Sequence, residues 1–266
     1  MNGELAQVTA LVAHGNSYLR TGRLDEPHME ATNSTFQYVG SVRFRKSDGA
    51  EIAGGVAGWL GWLRERGVDR LRFATAPDEG ELPAHIAAAF AGGNNLGIVA
   101  QSARGDSLWV PGWSHAGDRA KNPWLVTYRE DRVHGPWSHS SPSLADARKD
   151  LAHRLTDAAS VAGEMAVDHW RDWFIAALDK LDDAEPRTEH TDDVLPAHGY
   201  ALRARQLFAA AVGAWVFGGM GWWNDYIVED EALRQRYNDV SAALFASIHT
   251  ALAAVLESAF TEEAQR

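Results

Sequence analysis

The chain has 266 residues, 45% hydrophobic and 23% charged, a composition typical of a globular protein with a sizeable core. It contains no cysteine, which excludes disulfides, thiolate catalysis and cysteine-based zinc sites. The net charge of −11 disfavours a general nucleic-acid binder, because phosphate backbones favour a basic surface.

Residues 1–22 predict a helix. Their apolar side chains recur at helical spacing, at Leu5, Val8, Leu11, Val12 and Leu19. The segment has neither the basic start nor the continuous apolar run of a signal peptide. We therefore expect a cytoplasmic protein with no membrane segment.

Short segments of alternating character follow, and they predict about five strands. The strands are expected at residues 36–45, 69–75, 95–103, 106–113 and 123–131. In the first of them, Phe36, Tyr38, Val42 and Phe44 would share the inward face. Residues 50–67 and 83–91 read as helices that end at glycines.

From about residue 143 apolar residues recur every three or four positions, which predicts long helices. The first would run from Leu144 to about Asp183 with a bend near Gly163, the second would start near Ala197, and the third would cover 233–255. The fold class is therefore α+β. We expect a mixed sheet with two or three helices in residues 1–140 and a bundle of three long helices in residues 141–266, packed as one compact unit.

The two halves differ in charge, at −1 for residues 1–140 and −10 for residues 141–266. Four arginines are predicted to project from one face of the sheet, namely Arg43, Arg45, Arg70 and Arg72, with Arg129 as a further candidate. Like charges on one sheet face repel one another unless something compensates them. We expect acidic side chains of the helical half to cover this face. The alternative is an anionic partner or ligand.

The stretch AWVFGGMGWWND, residues 214–225, interrupts the helical region with three glycines and three tryptophans. The uncharged run 207–223 is short and rich in alanine and glycine for a membrane span, so it predicts a buried helix. That helix would stop at Gly218, Gly219 and Gly221, because glycine tolerates the left-handed backbone of a helix end. This predicts a corner between helices that is filled by aromatic side chains.

A binding site is the alternative for the same corner. Its aromatic rings and polar edge could stack a small molecule and hydrogen-bond to it, through Trp222, Trp223, Asn224 and Asp225. The eleven tryptophans of the chain could likewise line a cleft between its two halves.

No motif for phosphate binding or nucleophilic catalysis is present. Histidines and carboxylates cluster at residues 189–198, but this polar linker matches no known metal-ligand spacing, so we expect no metal and no cofactor. His134 and His139 lie beside serines, yet no motif nominates an orienting acid.

Two functional hypotheses follow. The first is a non-catalytic intracellular protein that acts through a protein partner or self-association, as an immunity, stress-associated or assembly factor would. The second is a small-molecule-binding protein or hydrolase-like enzyme with a tryptophan-lined cleft between the two halves.

Overall fold

The protein has an α+β fold, as expected from the sequence. A computed structural model describes residues 1–24, 33–76, 82–117, 121–132, 142–188, 191–196 and 198–260. A six-stranded mixed sheet occupies the N-terminal half, and long helices occupy the C-terminal half.

Within the described residues, the sheet has one strand more than predicted. Its strands are β1 (Val39–Arg45), β2 (Glu51–Ile52), β3 (Val68–Thr75), β4 (Leu96–Ser102), β5 (Ser107–His115) and β6 (Trp124–Arg132). Their order across the sheet is β2-β1-β6-β5-β4-β3. β1 and β6 pair in parallel and every other neighbouring pair is antiparallel, so the sheet is mixed.

The helices form a layer on the sheet and a bundle beyond it. They are α1 (Gly3–Thr21), α2 (Gly55–Glu65), α3 (Ala84–Ala87), α4 (Leu144–Glu164), α5 (Asp168–Asp179), α6 (Thr191–Val194), α7 (Leu202–Gly213) and α8 (Glu231–Ser258). The first predicted bundle helix is broken in two, because Ala166 adopts a left-handed backbone with φ +56° between α4 and α5. The described bundle therefore has four long helices where three were predicted.

Helix α1 lies between the sheet and the bundle. Asn2 caps it, accepting a hydrogen bond from the Leu5 N–H at 3.0 Å. On the sheet side, Asn16 bonds both the carbonyl and the N–H of Leu71 in β3, at 2.9 and 2.7 Å. On the other side α1 packs against α8. Residues 4–16 of α1 are all buried as a result.

The core is continuous across both halves, since one hydrophobic cluster joins residues of the sheet, α1 and the bundle. On the sheet it includes a stack of rings, with Phe44 at 4.3 Å from Trp59 and 5.1 Å from Tyr128 between ring centroids. The prediction that the chain divides near residue 140 stays a prediction.

The predicted start of the first strand was wrong. Ser34–Phe36 forms a 3₁₀ turn, and β1 begins at Val39. The register between β1 and β6 also shifts between Val39 and Ser41, which is a bulge-type irregularity. Tyr38, which was placed inward, is 61% exposed as a result, whereas Phe44 is buried as predicted.

The predicted length of the second bundle helix was also wrong. Helix α7 ends at Gly213, before the three glycines that were expected to stop it. Residues 215–218 follow without regular structure, and Trp215, Val216 and Phe217 are nevertheless buried. Burial of these side chains in a non-helical segment explains the apolar run, which periodicity alone could not distinguish from a helix.

Among the described residues, α8 is long and apolar enough to cross a membrane by length and composition. However, 61% of its most apolar window is buried inside the protein. The core helix of a compact domain has the same property.

Candidate functional site

Trp223 is part of the core. Its ring is fully buried, its Nε1–H donates to the Ser241 hydroxyl at 2.8 Å, and its carbonyl accepts a hydrogen bond from the Tyr237 hydroxyl. The ring also meets Phe174 edge-to-face, with 5.1 Å between centroids. These contacts satisfy the indole N–H and the carbonyl of Trp223 and pack its ring, as expected for a plug at the corner.

The neighbours of Trp223 in the predicted site make contacts within the corner and with α3. The Trp222 ring lies over Gly218, where a Cβ would meet it at 2.6 Å. Asp225 accepts a hydrogen bond from the Gly221 N–H at 2.8 Å, and Asn224 donates to the His85 carbonyl at 3.5 Å. These contacts are with residues outside the predicted set of four, and ligand binding by the four residues stays a prediction.

The predicted arginine face divides into two parts. Arg70 and Arg72 each reach Glu257 of α8 at 3.4 Å. Arg45 instead pairs with Glu51 of the neighbouring strand at 3.8 Å, while Arg43 is exposed. The helical half therefore supplies a carboxylate to two of the four arginines. Binding of an anionic partner stays a prediction.

The predicted histidine–carboxylate cluster is only partly described. Glu189, His190 and the side chain of Asp192 lie outside the described residues, as do His134 and His139. Asp193 makes hydrogen bonds that join parts of the fold: its backbone carbonyl accepts from the side chains of His14 and Asn33 at 3.0 and 2.8 Å. Within the described part of the chain, no group of three or more His, Asp or Glu residues could hold a metal.

A cleft of about 400 Å³ opens where the first turn of α1, the ends of strands β1, β5 and β6 and the segment after α7 meet. Five aromatic residues among those described line it, and we call it the aromatic cleft: Tyr38, Phe90, Trp113, Trp124 and Phe217. Tyr38 and Phe90 are 61% and 62% exposed. The helical half contributes Phe217, Gly218 and Gly219 to the lining. The cleft therefore lies between the two halves of the chain.

Sheet geometry positions three of these aromatic side chains. Trp113 of β5 and Trp124 of β6 are diagonal neighbours on one sheet face, and their rings meet at 72° with 6.1 Å between centroids. The Trp124 N–H donates to the Tyr38 carbonyl at 3.2 Å, which holds Tyr38 beside it. The buried Nε1–H of Trp113 has no hydrogen-bond partner among the described residues.

Glu4 supplies the charge of the aromatic cleft. It lies in the first turn of α1, where the helix dipole favours a carboxylate, and it is only 9% exposed. One of its oxygens accepts a hydrogen bond from the Gly92 N–H, and the other accepts from Asn94 Nδ2 at 2.9 Å. Burial and then the charge of Glu4 raise the pKa of the Tyr128 hydroxyl well above its usual value. No basic side chain in the described part of the chain forms an ion pair with Glu4.

A second, smaller cleft of about 250 Å³ is lined in part by Asn94, whose side chain donates to Glu4 of the aromatic cleft. His249 of α8 lines it, between Phe73 and Phe245. Burial lowers the pKa of His249 to about 4, and a hydrogen bond to the Phe245 carbonyl opposes this only in part. Its Nε2 and the Asn94 Oδ1 have no hydrogen-bond partner within the described ranges. A neutral imidazole with an unused acceptor therefore borders this cleft.

Sequence reasoning missed Tyr38, Phe90, Glu4 and His249 as site residues. Two signals were present: an acidic residue at the start of an apolar helix, and a histidine within the apolar stripe of α8. Both are ordinary features of helices, so neither pointed to a site by itself. The chain matches no protein-family model, no curated protein and no solved structure.

Proposed function

We propose that this protein binds a small organic molecule in the aromatic cleft. The observation that carries the proposal is a cleft of about 400 Å³ that combines five aromatic residues with a buried carboxylate. Ligand sites in proteins commonly enclose 300–1,000 Å³ and combine apolar walls with a few placed polar groups.

The exposed rings favour ligand binding. Tyr38 and Phe90 present large apolar faces to a concave surface, where an organic ligand could cover them. Covering about 100 Å² of apolar surface contributes about 2.5 kcal/mol. A planar or bulky organic ligand can cover several rings at once, and each covered ring adds to the free energy of binding.

The lining residues favour binding over acid–base catalysis. Among those described, Glu4 is the one carboxylate, and none is a histidine, lysine or arginine. Acid–base catalysis usually needs two titratable groups with different roles, or one such group beside a nucleophile. We therefore propose reversible binding without chemical conversion of the ligand.

Titration of the tryptophan fluorescence against a panel of metabolites tests this proposal, because Trp113 and Trp124 line the cleft. We expect a saturable change with at least one ligand. The double variant Tyr38→Ala/Phe90→Ala should weaken this binding at least about tenfold, since it removes two exposed walls. The control variant Ile227→Ala changes a residue that is 94% exposed and does not line the cleft, and it should bind normally.

Two results would contradict the proposal. One is the absence of saturable binding across the panel. The other is saturable binding that the Tyr38→Ala/Phe90→Ala variant retains at full affinity. Circular dichroism of the double variant should match that of the unmodified protein, because both side chains are mainly exposed.

A protein–protein contact is a second candidate function, favoured by a different surface. Met220 and Ile227 are each 94% exposed, and the partly exposed Trp222 lies between them in the chain. Exposed apolar patches often mark protein contacts. Sedimentation velocity tests its simplest form, which is association of two copies. The variant Met220→Ser/Ile227→Ser should then remain monomeric at concentrations where the unmodified chain associates.

A further inference from the structure

We infer that the ligand of the aromatic cleft carries a cationic amine or quaternary ammonium group, held between aromatic faces and Glu4. This inference rests on the proposed function, and it adds the chemical class of the ligand. Three observations carry it: a buried carboxylate, ring faces set at an angle, and a lining that has no basic residue among the described ones.

The buried carboxylate is the first observation. An ionised carboxylate is costly to bury unless hydrogen bonds and an opposite charge compensate it. The Gly92 N–H, the Asn94 amide and the start of α1 meet part of this cost for Glu4. The described residues supply no ion-pair partner for it, and a bound cation would complete the compensation.

The arrangement of the rings is the second observation. Aromatic faces carry negative potential and attract cations, and tryptophan does so most strongly. Trp113 and Trp124 meet at 72°, so their rings form two walls that stand at an angle to each other. Tyr38 is held beside Trp124 by a backbone hydrogen bond, and Phe90 adds another ring to the lining. Walls of this kind are how proteins hold ammonium groups without a full shell of hydrogen bonds.

The charge of the surroundings is the third observation. The described lining has no lysine or arginine that would repel a cation or attract an anion. The start of α1 could attract an anion, but the Asn2 side chain already accepts from the Leu5 N–H and Glu4 already carries a negative charge there. The net charge of −11 also favours the approach of cations over anions.

Calorimetric titration with choline and with its uncharged isostere, in which carbon replaces nitrogen, tests the inference. The two probes have nearly the same shape and differ in charge. We expect choline to bind at least about tenfold more tightly than the isostere. Glu4→Gln should reduce this preference, and Phe90→Ala should weaken the binding of choline.

A second measurement avoids the risk that Glu4→Gln disturbs the hydrogen bonds between α1 and the residues after α3. Replacing the tryptophans by fluorinated tryptophan keeps ring shape but weakens the negative potential of the ring faces. The affinity for choline should then fall at least threefold, while the affinity for the isostere should stay constant.

The outcomes separate the inference from the proposed function. Equal binding of choline and the isostere, no binding of choline, or no effect of fluorination on choline affinity would each overturn the cationic class. If a panel ligand still binds and the Tyr38→Ala/Phe90→Ala variant loses that binding, the proposed function stands without this class. If no panel ligand binds and neither choline nor its isostere binds, both the cationic class and the proposed function are overturned.

Discussion

Burial of His249 should make the fold sensitive to mild acid. The ring is 7% exposed and lies among the aromatic side chains of Phe73, Trp215 and Phe245. Burial lowers its pKa from 6.5 to about 4, because the apolar surroundings disfavour the charged imidazolium.

The direction and size of the effect follow from proton linkage. Between about pH 4 and pH 6.5 the unfolded chain protonates His249, while the folded chain keeps it neutral. The free energy of unfolding therefore falls as the pH falls through this range, and the full contribution is present above pH 6.5. The two pKa values differ by about 2.5, which corresponds to about 3 kcal/mol lost at pH 4 relative to pH 7.

The variant His249→Asn isolates this contribution from that of other titrating groups. Its amide can still donate to the Phe245 carbonyl, and it does not titrate in this range. Urea unfolding of both proteins from pH 7 to pH 4 gives the difference between their free energies of unfolding at each pH. We expect this difference to change by about 3 kcal/mol in favour of the variant as the pH falls. A difference that stays constant with pH would refute the reasoning.

Two further predictions concern stability. Gly58→Ala should destabilise the protein by at least about 2 kcal/mol in chemical denaturation, because the new Cβ would lie 1.9 Å from a backbone oxygen. Gly61→Ala in the same helix is the control, and it should be neutral or stabilising by up to about 1 kcal/mol. Equal effects of the two would contradict the close approach at Gly58. Arg70→Glu should lower the free energy of unfolding by about 2 kcal/mol through repulsion of Glu257, while Arg43→Glu at an exposed position should change it by less than about 0.5 kcal/mol. A comparable loss in both variants would argue against a specific role for Glu257.

The elements that could be predicted are those with a clear period. Leu244, Ile248 and Leu252 follow helical spacing, and all three are buried in α8. The alternation of Arg70, Leu71, Arg72 and Phe73 likewise predicted the sides of β3, with both apolar residues buried. In these segments the side-chain period follows directly from backbone geometry, so neighbours in the chain carry the information.

The aromatic cleft could not be predicted, because its parts are far apart in the chain. Glu4 meets Gly92 across 88 positions, and neither residue has a pattern that indicates the other. Tyr38 lines the cleft because a turn and a register shift move it out of the alternation. The parallel pairing of β1 with β6 is also a long-range event.

The sequence by itself determined the fold class, most of the helices and strands, and which side of the most regular elements, such as β3 and α8, is buried. Only the tertiary structure decided the strand order, the end of α7 and the grouping of Tyr38, Phe90, Trp113 and Trp124 around Glu4. The physical reason is that the spacing of apolar residues reports which face of an element leaves water. It does not report which other element covers that face, and a binding cleft forms where such a cover is incomplete.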